Sequence, residues 1–210
     1  MKDLYIKRTL PFSLTIVALL VLLISGCSST TPENDQVPND GLIRAAEINA
    51  ELGIAYMNQG KMDVASRKLE KALGQNPRSP NVHSAIGLLN ERLKDYPTAD
   101  KHYKRSVELT AKSGVGGGRI FNNYGRYLCS RKQYAKAREL FSRAYQDKMY
   151  QGKELAYTNA GICELQQNNV KEATSLFRAA LKVRKSYSPA LYQMAQLYYN
   201  EKTYQLAKAY

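Results

Sequence analysis

The chain has 210 residues, 44% of them apolar and 10% aromatic, with 31 Lys and Arg against 18 Asp and Glu for a formal net charge of +13. This is enough apolar material for one sizeable domain or two small ones, and too much for a disordered chain. The three cysteines show neither CxxC nor a metal-ligand spacing, and the basic excess fits nucleic acid, anionic lipid or an acidic partner.

At the N-terminus Lys2, Lys7 and Arg8 precede Leu10 to Ile24, a run interrupted only by Pro11, Ser13 and Thr15. The run is shorter than the ~20 apolar residues a membrane span needs. It ends in small residues, Ser25 and Gly26, before Cys27, as an export signal does. This ending resembles a bacterial lipobox, in which the cysteine thiol is the nucleophile that accepts a diacylglyceryl group. Residues 1–26 are therefore expected to be a signal peptide and Cys27 the lipidation site. An ordinary signal peptide or an uncleaved anchor helix is the alternative. By resemblance to the bacterial sorting rule, Ser28 after the cysteine points to the outer membrane, with the chain lipid-anchored and facing the periplasm. Acyl anchoring draws on ~0.8 kcal/mol per buried CH₂. Residues 27–42, polar and with two prolines, read as a tether, and Asn39 or Asp40 is placed to cap a first helix.

From there the chain repeats itself. Gly53 is followed twelve residues later by Ala65, Gly87 by Ala99, Gly125 by Ala137 and Gly161 by Ala173; a fifth copy carries Ala195 and Ala207. Large apolar residues recur beside them, among them Leu69, Tyr103, Phe141 and Phe177. The spacing resembles the tetratricopeptide repeat (TPR), a 34-residue helix–turn–helix with L-G-x₂-Y, then A-x₃-F, then P. The expected fold is all-α, a superhelical solenoid over residues 43–210. Its repeats run at about 46–79, 80–113, 118–151, 154–187 and 188–210. The last stops within its second helix, so the sequence is expected to be a fragment or a truncated chain.

The stretch 113–119, SGVGGGR, invites a phosphate-loop reading. It fails the dinucleotide fingerprint, because Arg119 stands at the third glycine place and no strand precedes it, and it fails the P-loop pattern. It reads instead as a flexible turn between repeats two and three. His83 and His102 fall on different helices of one repeat, with His83 in a packing position. With no nucleophile motif, paired carboxylates or metal cluster, no catalytic residue, cofactor, metal or small-molecule substrate is expected. Nucleic acid is a poor fit for an exported lipoprotein. The bases on second helices, such as Lys101, Lys104 and Arg105, read as a solvated face, with attraction to anionic lipid second.

By resemblance to the repeat family, positions 2, 5, 9, 12 and 13 of each first helix face a concave groove. The groove residues expected to bind a partner are Ile54, Met57, Leu88, Arg119, Asn122, Arg126, Leu155, Thr158, Ile162, Leu165 and Tyr192. Their mix of apolar and basic character suits a peptide with apolar and acidic residues. A further C-terminal helix, or the tether, covering part of the groove is the alternative. Asn122 is placed to reach a partner from the groove, while Asn123 equally suits a helix–helix contact. Cys163 takes a buried small-residue place, Cys129 points toward the groove, and no disulfide between them is expected.

The lipobox, the tether, the tandem repeats and the segment FNNYGRYLCSRKQYAKARELFSRA together resemble the PilF/PilW family of type IV pilus biogenesis lipoproteins, the pilotins. The resemblance covers essentially the whole chain. It implies a non-catalytic outer-membrane scaffold that helps the pilus secretin, a PilQ-like subunit, reach the outer membrane and form its multimeric ring. An adaptor for peptidoglycan-remodelling enzymes is the alternative.

Overall fold

A computed structural model describes residues 39–113 and 116–210, which include ten α-helices and no strand. They are α1 Asp40–Asn58, α2 Met62–Gln75, α3 Pro80–Arg92, α4 Tyr96–Ser113 and α5 Gly118–Ser130. Then follow α6 Tyr134–Gln146, α7 Lys153–Leu165, α8 Val170–Val183, α9 Ser188–Asn200 and α10 Tyr204–Ala209. They pair as five helix–turn–helix units. The expected signal peptide, lipobox and most of the expected tether lie outside the described residues, among which no helix is long and apolar enough to cross a membrane.

The repeated glycine has a steric cause. A Cβ built on Gly53 would sit 2.7 Å from the Leu69 side chain, on Gly87 2.9 Å from Tyr103, on Gly125 3.0 Å from Phe141 and on Gly161 2.5 Å from Phe177. In each case the obstructing residue lies sixteen positions on, at the middle of the second helix. The absent side chain lets two helix axes close over one large residue, and Tyr103, Phe141 and Phe177 are fully buried there. The alanine twelve places after each glycine, Ala65, Ala99, Ala137 and Ala173, is also fully buried.

The turn inside each unit has one shape. Its residue with positive φ is Gly60 (76°), Lys94 (64°), Lys132 (60°), Asn168 (60°) and Lys202 (59°), all at position 15 of their repeats. Only the first copy uses the residue for which this backbone carries no Cβ penalty. The α1 N-terminus is capped as predicted, by Asn39 Oδ1 accepting from Leu42 N at 2.9 Å.

The glycines before α5 depart from expectation. Gly114 lies outside the described residues, but Gly116, Gly117 and Gly118 sit in a crowded place rather than a loose turn. A Cβ at Gly116 would meet the Asp147 carboxylate at 2.7 Å, one at Gly117 the Thr110 methyl, and one at Gly118 the Tyr150 ring. Asp147 Oδ2 accepts from Gly118 N at 2.8 Å, so the loop after α6 caps a helix that lacks a side-chain cap of its own. An anion at this helix end would have to displace that carboxylate.

Candidate functional site

The first helices α1, α3, α5 and α7 lie side by side, and their groove positions meet one another before they meet solvent. At position 2, Glu47 accepts from Asn81 Nδ2 at 2.9 Å, and Asn81 Oδ1 accepts from Arg119 Nη2 at 3.1 Å. Glu47 also takes the Ser79 hydroxyl at 2.6 Å. Arg126 grips Glu91 with both terminal nitrogens, each at 2.8 Å, and the same carboxylate accepts from Tyr103 Oη at 2.9 Å. Arg92 donates to the Met57 carbonyl at 2.6 Å and to Asn58 Oδ1 at 2.9 Å.

Asn122 is 2% exposed and accepts from Asn159 Nδ2 at 2.9 Å. Its role is therefore inter-repeat. Asn123, half-buried, lines the groove and reaches Ser84 Oγ only at 3.4 Å. Cys129 and Cys163 form a disulfide, with Cα atoms 5.9 Å apart. This corrects the expectation of an open Cys129 and an inert Cys163. Position 12 of repeat three and position 10 of repeat four face each other across the junction, close enough to be bridged.

The eleven expected groove residues thus divide. Ile54, Leu88 and Arg119 are brought together, with Glu51 and Asn123, around a shallow recess on α1, α3 and α5. Met57 and Thr158 are buried core, Thr158 donating to the Glu154 carbonyl at 2.7 Å, so neither faces a ligand. Arg126 is spent on Glu91. Ile162 and Leu165 pack with Phe177 and Met194 under repeat five. Leu155 remains exposed on its own helix. Tyr192, 62% exposed, lines a separate recess of about 460 Å³ with Tyr199, Tyr204 and Lys208 at the other end of the described chain. Family groove positions do not say which side chains the next repeat has already taken.

One buried carboxylate was missed from sequence. Glu164, 4% exposed, accepts from Arg138 Nε at 2.8 Å and Nη2 at 3.0 Å and from Asn169 at 2.7 Å. The bonds from Arg138 hold its carboxyl below the ordinary range against the opposing cost of burial. Its place eleven residues into α7, where α6 approaches, was the available signal. Among the described residues, no group of three His, Cys, Asp or Glu is placed to hold a metal ion.

The tetratricopeptide-repeat family model matches residues 78–148. The type IV pilus assembly protein PilF of Pseudomonas aeruginosa is 27% identical over 93% of this chain and 76% of its own length. The chain is a tetratricopeptide-repeat homologue of PilF. The solved structure of P. aeruginosa PilF superposes with a TM-score of 0.72 at 27% identity, covering 80% of this chain and 74% of that one. PilW, described as a widely conserved type IV pilus biogenesis factor, superposes at 0.66 with 23% identity, covering 79% and 78%. At that identity PilW supports the fold alone. Both superpositions match the solenoid, and the sequence similarity to PilF spans 93% of the chain.

Proposed function

We propose that this PilF homologue is a non-enzymatic scaffold of type IV pilus assembly. In this reading it is an outer-membrane lipoprotein, acylated at Cys27, that promotes the localisation and multimer assembly of the pilus secretin. The supporting observation is the similarity to PilF along 93% of the chain. The groove's open part, Ile54 and Leu88 flanked by Glu51 and Arg119, suits an amphipathic peptide segment.

The test is the abundance of secretin multimers in outer membranes after deletion of the gene and after its restoration. Loss and recovery are expected. Restoration with Leu88→Asp, which replaces an apolar lining residue of the recess by a carboxylate, is expected to recover folded protein but far fewer multimers. Multimers unchanged by the deletion would refute the reading.

A further inference from the structure

On the second-helix side of repeat two lies a recess of about 380 Å³ lined by His83, Lys101, His102, Lys104, Arg105 and Glu108. Its floor holds a histidine pair. His83 Nδ1 and His102 Nδ1 are 3.0 Å apart, and His83 Nε2 is 3.0 Å from the Pro77 carbonyl. A carbonyl only accepts, so His83 Nε2 carries a proton. His83 Nδ1 is then an acceptor, and His102 must donate to it from Nδ1. That leaves His102 Nε2 as the nitrogen open to one further proton. A second added proton would set two Nδ1–H groups against each other at 3.0 Å, so the pair takes one charge and not two.

The surrounding charges are mostly positive. Lys104 is held by Asp100 at 2.6 Å, and Arg105 reaches Glu108 only at 3.4 Å in an exposed contact. Lys101 makes no ion pair among the described residues. All the lining groups belong to α3 and α4; none comes from α1, α2 or α5, which pack against them. Burial lowers the proton affinity of both imidazoles, helped by Arg105 at His83 and by His83 and Lys101 at His102. An anion bound among these cations reverses that penalty.

We propose that this recess is a proton-linked site for a phosphate group, occupied best when the His83–His102 pair carries its one added proton. The cationic tips of Lys101, Lys104 and Arg105 ring the phosphate, while the imidazole faces and methylene stems leave room for an organic substituent. The site is independent of the groove.

The test follows the imidazole nitrogens by NMR, in the full chain held in phosphatidylcholine bicelles, between about pH 5 and about pH 8. The probes are inorganic phosphate and, separately, bicelles doped with phosphatidylglycerol. His102 is expected to take the single proton while His83 keeps its Nε2–H. By linkage, a tenfold preference of phosphate for the protonated pair raises the His102 midpoint by about one unit. A rise with both probes assigns a general phosphate site; a rise with phosphatidylglycerol alone assigns a lipid headgroup. Lys101→Glu is expected to abolish the rise at unchanged helix content. His102→Gln, which keeps a donor for His83, is expected to leave phosphatidylglycerol binding that no longer depends on pH, since that diester does not itself titrate in this range. A midpoint unmoved by either probe, or one proton taken by each imidazole, overturns the proposal.

Discussion

The junction of repeats three and four and the end of repeat five share one sequence pattern but differ in burial. At the junction, α7 lays Ala156, Ala160, Cys163 and Glu164 against repeat three, all buried. Asn122, Cys129 and Arg138 of repeat three each find a partner on that helix. The same three places in repeat five hold Tyr192, Tyr199 and Lys208, which instead line an open recess. In α9 and α10 only Ala190 and Met194 are buried. A repeat therefore presents a half-made interface, and its groove residues become core or surface according to what stacks on them.

That contrast can be broken most strongly at its apolar centre. Phe141→Ala is expected to cost ~3–5 kcal/mol, because the ring fills the closed space over Gly125. Leu206→Ala in α10, 50% exposed, should change stability by less than ~0.5 kcal/mol. Urea denaturation of the two variants measures the difference, and comparable losses would dissolve the distinction.

Reducing the Cys129–Cys163 bond, or replacing both cysteines by serine, removes a covalent closure of the 34-residue interval between them. Loop-closure entropy puts the loss at about 3–4 kcal/mol. Hydrogen exchange in α5 and α7 should then rise toward that of α9. Exchange unaltered by reduction would mean that the side-chain contacts alone hold the junction.

The smallest effect is at a turn. Lys132→Gly relieves a φ of 60° in the turn between α5 and α6. After the added entropy of the unfolded chain is subtracted, a gain of about 0.5–1 kcal/mol is expected, read as a higher denaturation midpoint. A loss there would show that the lysine side chain contributes more than its backbone strain costs.

The repeat fold was legible because its signals are local. Gly125, Ala137 and Phe141 lie within seventeen residues, and their spacing states how two helices cross. The groove was less legible because its partners lie one repeat away. Nothing near Arg126 announces Glu91, and nothing near Asn122 announces Asn159; both pairings emerge only when neighbouring first helices are set side by side. The disulfide was missed for the same reason. Cys129 and Cys163 occupy different repeat positions, which looked like different environments until the stagger between α5 and α7 placed them opposite each other. The glycines before α5 were misread as looseness, because the Tyr150 ring and Asp147 carboxylate that crowd them come from the next connection.

The bond between Cys129 and Cys163 also sets how this molecule responds to tension. A solenoid pulled from its ends peels apart repeat by repeat, and each released repeat lengthens the chain. The 34-residue interval inside the bond cannot be drawn out while the bond lasts, so roughly 110–120 Å of extension is withheld. The solenoid thereby keeps a short inextensible link between repeats three and four, with its extensible length divided into two separate arms.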